Sequence, residues 1–168
     1  MKKRLGFTLV ELLIVIGVIA ILAAIIFEAV DPARRFAEAR NAERWSSVNA
    51  ILNGVLKFTV DERGTLPADL AAASAGLNYM IGTCASGANS QVCSNGGSSV
   101  TLQAACVDLN PDLVDNYLAS MPVDSSASGA GADYTFYYIT KSANGRITVG
   151  TCNPEAAGGS TPTISVSR

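Results

Sequence analysis

An apolar run of 21 residues, Phe7 to Phe27, lies near the start of the chain and contains a single carboxylate, Glu11. About 20 apolar residues suffice to cross the hydrocarbon core of a bilayer as a helix, so this run can span. It follows a basic leader, Lys2-Lys3-Arg4, and Gly6. Lys and Arg flanking a span stay on the cytoplasmic side, which places everything after Glu28 on the other side. A charged group inside a span is expensive, and a lone acid there marks a functional position by default. It stays ionised only where a partner satisfies it; the plain alternative is a Glu at the membrane edge that faces water. Basic residues before an apolar run also describe an ordinary anchor or a secretory signal, with Ala20, Ala23 and Ala24 as a small-residue cleavage site. The acid argues against a secretory signal, because it weakens insertion for no gain in a disposable segment.

The residue order Gly6, Phe7, Thr8-Leu9-Val10, Glu11 after a basic leader resembles a class III signal peptide, the type carried by type IV prepilins and their relatives. The resemblance implies cleavage between Gly6 and Phe7 by a membrane peptidase on the cytoplasmic side, and methylation of the new Phe7 amine. That amine is positive and lies one turn from Glu11 in the same helix. In a filament the acid of one subunit could reach the amine of its neighbour, which is the arrangement the resemblance implies. It also implies a pilin fold: a long N-terminal helix, its first half in the filament core and its second half packed on a sheet. The segments are then a leader (1–6), a membrane-spanning and filament-core helix (7–30), an amphipathic half-helix (31–64) and a globular head (65–168). The implied function is a structural subunit of a type IV pilus, serving adhesion, motility or DNA uptake. The implied partners are identical subunits, a prepilin peptidase, the inner-membrane assembly machinery and, before assembly, the membrane itself. The implied location is the inner membrane for the prepilin and an extracellular pilus after assembly. A type II secretion pseudopilin is the nearest alternative; a signal-anchored protein that never assembles is another.

Beyond the span, Asp31 to Arg63 reads as helix, with apolar residues at Phe36, Val48, Ile51, Leu52, Val55, Leu56 and Phe58 in helical spacing. Asp31-Pro32 suits a helix restart, Asp as cap and Pro at the first helical position; within one long helix Pro32 would kink it instead. Many members of the resembling family carry a helix-breaking Pro about one turn earlier, near Glu28. Arg34, Arg35, Arg40 and Arg44, beside Trp45 and mixed with Glu38 and Glu43, predict a solvated or subunit-contact face, with DNA or lipid headgroups as the minor reading. The full chain carries 12 basic and 14 acidic residues, a net charge of −2. Without the leader, nine basic and 14 acidic side chains leave −5, which suggests no nucleic-acid scaffold.

After Gly64 the chain predicts an α+β head. Ala71 to Ser99 reads as a long loop rich in Ala, Gly, Ser and Asn, and Asn110 to Leu118 as a short capped helix. Asp133 to Thr140 and Arg146 to Thr151 read as a hairpin around Asn144-Gly145, with Ile147 and Val149 facing in, and Thr161 to Ser167 as a last strand. The expected sheet is small and antiparallel, packed on the second half of the long helix. Cys84, Cys93, Cys106 and Cys152 all lie beyond the span, and an even count there predicts two disulfides. Three pairings satisfy the count. Cys84–Cys93, closing a Gly/Ser-rich loop, with Cys106–Cys152, tying the loop to the hairpin end, is the favoured one. The chain has no histidine and no CxxC pair, which disfavours zinc. Asp124 and Asp133 bracket a polar loop, and secretion pseudopilins similar to this region bind calcium in a comparable loop, so calcium is a second reading beside a plain solvent loop. No histidine is present to act as base, the cysteines are better used as bridges, and no phosphate-cradling glycine motif follows a strand, so the expectation is a non-enzymatic protein without cofactor.

Overall fold

The computed structural model describes residues 6–168, so the leader charges Lys2, Lys3 and Arg4 lie outside the described residues. The chain divides into two compact units, one ending at Phe36 and one running from Ala37 to Arg168. In the first, helix α1 (Leu9–Val30) covers the apolar run. Its segment Leu9–Glu28 is long and apolar enough to cross a membrane; 20 residues at ~1.5 Å each rise about 30 Å, the thickness of the hydrocarbon core. Every large apolar side chain from Leu9 to Phe27 is at least 50% exposed. These side chains find no cover in their own unit, as befits a helix whose surroundings are lipid or other helices.

Asp31 closes this helix and opens the next. Its φ of 42° ends α1 in the left-handed region, which Asp visits more readily than most residues. Its carboxylate then accepts the Arg34 amide at 3.3 Å, capping α2 (Pro32–Asp61). Pro32 takes the first helical position, where its missing N–H has no helical partner to lose. The helix therefore restarts at Pro32. The unit boundary falls inside α2, after Phe36. At the far end Arg63 (φ 55°) and Gly64 (φ 98°) turn left-handed. The Gly64 amide donates to the Thr59 carbonyl (2.7 Å) and the Arg63 amide to Val60 (3.3 Å), a Schellman closure.

In the second unit α2 buries Val48, Ile51, Leu52 and Val55, each at most 1% exposed, on one stripe. The stripe packs on a five-stranded sheet ordered β4-β1-β5-β6-β7, built from β1 (Asn78–Ile81), β4 (Leu102–Val107), β5 (Tyr137–Lys141), β6 (Ile147–Thr151) and β7 (Ser165–Ser167). Short helices α3 (Ala68–Ala72) and α4 (Asn110–Leu113) and a hairpin of β2 (Ser94–Asn95) and β3 (Ser98–Ser99) complete the head. Tyr79, Ile139, Val149 and Val166 are successive cross-strand partners, forming one row that faces the helix. Met80, Tyr138 and Gly150 form the next row, on the opposite face with Cys93, Phe136 and Cys152. Gly150 is required there: a Cβ would stand 2.5 Å from the Tyr138 ring.

The fold is the expected α+β arrangement, a long N-terminal apolar helix with a sheet in the head. Four details differ. The sheet is mixed, because β4 runs parallel to β1 after the chain crosses over through residues 82–101. The stretch read as loop, Ala71 to Ser99, contains β1, whose three apolar residues Tyr79-Met80-Ile81 are too few to display a period. Helix α4 stops at Leu113, and Asp115 turns left-handed at φ 72°. Strand β5 begins at Tyr137, since Phe136 at φ 62° interrupts the extended run from Asp133.

The disulfides also correct the favoured pairing. Cys84 joins Cys106, and Cys93 joins Cys152. The parallel pairing of β1 with β4 sets Met80 opposite Cys106, which brings Cys84, just past the end of β1, alongside it. Cys93 is brought to Cys152 by the Ser94 amide, which donates to the Cys152 carbonyl at 2.9 Å. Neither proximity is local in sequence: the bridges span 22 and 59 residues. Loops of these sizes stabilise by about 3 and 4 kcal/mol in the chain-entropy account. Non-reducing peptide mapping with cleavage after Leu102 should leave the fragment carrying Cys84 and Cys93 joined to the Cys106 and Cys152 fragments together. A fragment internally bridged between Cys84 and Cys93 would contradict this connectivity.

Candidate functional site

Gly6 and Phe7 precede the first helical turn outside any helix or strand, and both are exposed. Thr8 is the N-cap of α1, and Glu11 is the third residue of the helix. The two form a capping box. The Glu11 amide donates to Thr8 Oγ1 (3.3 Å), while Glu11 Oε2 accepts from the Thr8 amide and the Thr8 hydroxyl, both at 2.8 Å. The bond Gly6–Phe7 is thus presented immediately before a fixed helical start, with the acid held at its mouth. Thr8 stands in the sequence pattern beside Gly6, Phe7 and Glu11, and its capping role is the added finding, one that Thr-x-x-Glu ahead of an apolar run signals.

The box has a chemical consequence for the acid. A carboxylate in a span is tolerated only when hydrogen-bonded or paired. Two donors from Thr8 satisfy one of its oxygens, and Oε1 retains acceptor capacity for a further donor. The helix N-terminus adds the partial positive charge of its free amides. Glu11 is therefore accommodated as an anion in one chain and still able to accept a cationic group from outside it.

The head has its own ionic centre, built where the sequence predicted a solvated face. Arg44 is 2% exposed. Its Nε donates to Asp124 Oδ2 at 2.8 Å, Nη2 to Asp124 Oδ1 at 3.3 Å and to Glu155 Oε1 at 2.9 Å, and Nη1 to Asn41 Oδ1 at 2.9 Å; Nη2 also meets Ser126 Oγ. Arg40, one turn earlier, grips the same Glu155 with Nε (2.6 Å to Oε1) and Nη2. Asn41 closes the group: its Nδ2 donates to the Glu155 carbonyl at 2.7 Å and its Oδ1 accepts the Glu155 amide at 2.9 Å. Three residues of α2 thus hold two loops, at 124 and at 155, through two cations and two carboxylates. Arg40 and then Arg44 outweigh the opposing effect of burial and hold the Glu155 carboxyl down at about 2, against an ordinary 4.5.

The two carboxylates of the calcium reading, Asp124 and Asp133, each have protein partners. The Asp124 carboxylate faces the Arg44 guanidinium at 2.8 Å. Asp133 accepts from Thr83 Oγ1 at 2.5 Å and from the Ser86 amide at 3.2 Å, and the Thr83 bond, with Ser86 second, lowers its pKa. Among the described residues no group of three or more His, Cys, Asp or Glu is placed to hold a metal ion.

Residues 1–27 match the family model described as the prokaryotic N-terminal methylation motif. The chain carries the prepilin signature of type IV pilins and pseudopilins. The matched segment contains Gly6, Phe7, Thr8 and Glu11 and nearly all of the potential span, and with α1 it fits a membrane-anchored precursor. The motif implies processing by a prepilin peptidase and handling by pilus-type assembly machinery. No curated protein and no solved structure matches the chain.

Two outcomes are expected of the ionic centre. Arg44→Ala leaves Asp124 buried without a counter-charge and should lower the stability of the head by about 3–5 kcal/mol, read by urea unfolding; a loss below about 1 kcal/mol would place the pair in solvent. Glu155 has a depressed folded pKa, so its contribution is complete above 4.5 and declines as pH falls toward 2. Stability measured across that window should fall less steeply in Glu155→Gln than in the parent chain; equal slopes would contradict the assignment.

Proposed function

We propose that this protein is a structural subunit of a type IV pilus. It is cut between Gly6 and Phe7, methylated on the Phe7 amine, and polymerised through α1. Glu11 pairs with the Phe7 amine of the neighbouring subunit, and the heads form the outside of the filament. The carrying observation is the methylation motif at residues 1–27 on an apolar helix whose acid is already fixed by Thr8. Cleavage creates the cation that such an acid lacks. Exchange of lipid around α1 for neighbouring apolar helices keeps its side chains out of water, and the ionic pair sets which neighbour is in register. In this reading the chain is not an enzyme, holds no cofactor and acts outside the cell after assembly.

A secretion pseudopilin shares the same N-terminal motif. Arg44 already meets the charge of Asp124, which supports the pilus reading over a calcium-loaded pseudopilin. Glu11→Ala should still be cleaved and still insert, yet give no filaments in electron micrographs of sheared surface material. Filaments of normal number and length from that variant would remove the pairing from the account. Glu11→Gln separates charge from hydrogen bonding: it retains an oxygen for Thr8 and is expected to fail in assembly as Ala does.

A further inference from the structure

The two disulfides lie in contrasting surroundings. Cys93 and Cys152 are 2% and 0% exposed and belong to the apolar cluster of Met80, Phe136 and Tyr138. Beside them Asn95 is buried, its Nδ2 donating to Tyr138 Oη and the Ile164 carbonyl at 3.1 Å, its Oδ1 accepting the Ile164 amide at 2.8 Å. The β2–β3 hairpin is therefore held by core packing as well as by its bridge. Cys84 and Cys106 are both half-buried, Cys84 within a run in which Thr83 and Ala85 to Ala88 are exposed, and Cys106 at the margin of the same apolar cluster.

The segment that this bridge restrains, residues 83–92, has no helix or strand. Its remaining ties are hydrogen bonds, mostly at the surface, and include the Thr83 amide to the Ala132 carbonyl at 3.0 Å. Thr83 and Ser86 bond the Asp133 carboxylate, the Cys84 amide bonds the Asp133 carbonyl at 3.3 Å, Tyr134 Oη donates to the Gly87 carbonyl at 3.1 Å, and Asn89 bonds the edge of β4. None of the side chains from Thr83 to Val92 enters either core cluster.

From this contrast we propose that Cys84–Cys106 is a reducible latch on the 83–92 loop, opened by an external dithiol while Cys93–Cys152 stays closed and the sheet stays folded. A thiolate of the dithiol attacks one sulfur of the half-buried bridge, breaks its S–S bond and forms a mixed disulfide, the other cysteine leaving as a thiolate. The second thiol of the reagent displaces the protein sulfur, leaving two thiols at Cys84 and Cys106 and one disulfide in the reagent, two electrons having passed to the protein. Access to the sulfur controls the first step, and the buried bridge offers none without local opening of the core. The head then has two states on its surface, loop tied and loop released, set by the thiol balance around it.

The test uses the full-length chain in detergent, titrated with dithiothreitol, alkylated at each step and mapped by mass spectrometry. Cys84 and Cys106 should be modified at about tenfold lower reductant than Cys93 and Cys152. In that window the far-ultraviolet circular dichroism should be unchanged, and proteinase K should cut faster within residues 83–92. Modification of all four cysteines together, modification of Cys93 and Cys152 first, or loss of sheet signal with the first bridge would overturn the latch. So would a loop whose cleavage rate does not change once Cys84 and Cys106 are free. None of these readouts depends on filament formation, so the latch and the pilus reading fail separately.

Discussion

Glu11 is the one charged group in the apolar run Phe7 to Phe27, and the rest of the N-terminal organisation follows from keeping that charge satisfied. A carboxylate near the start of a span loses several kcal/mol of hydration unless hydrogen bonds or a cation replace it. In a single chain the replacement is local, from the Thr8 amide and hydroxyl. That local solution leaves the acid anionic and open to a stronger partner. In the proposed pilus subunit, an amine created at Phe7 would supply one, presented by a neighbouring chain where lipid is excluded.

The head meets a different problem with similar means. Its sheet is small, and α2 covers only one face of it. The loops at 124 and 155 have little apolar surface of their own, and Arg44, Arg40 and Asn41 anchor them to the helix. Two bridges hold what the ion pairs do not reach. Cys93–Cys152 reinforces a cluster that packing already favours, whereas Cys84–Cys106 restrains a loop that packing hardly touches. Buried charge and cross-links stand in for core volume in a head of this size.

What was legible in the sequence was what neighbouring residues encode. Gly6, Phe7 and Glu11 lie within six positions, and the apolar run is continuous, so leader, span and acid could be read together. Asp31-Pro32 gave the helix restart, and alternation with Asn144-Gly145 gave the β5–β6 hairpin. The remainder depended on contacts between distant residues. Arg44 finds Asp124 across 80 positions and Glu155 across 111, and its helix-surface spacing with interspersed acids imitates a solvated face. The cysteine pairing turned on β4 lying parallel to β1, a topology that neither strand announces by itself. Proximity in sequence favoured Cys84–Cys93, and the crossover defeats it.

The most direct test of the account is the intact mass of the protein in the sheared surface fraction of its native cells. The account predicts the mass of Phe7–Arg168 plus one methyl group, less four hydrogens for two disulfides. Full-length protein confined to the membrane fraction, or a chain cut near Ala24, would contradict it.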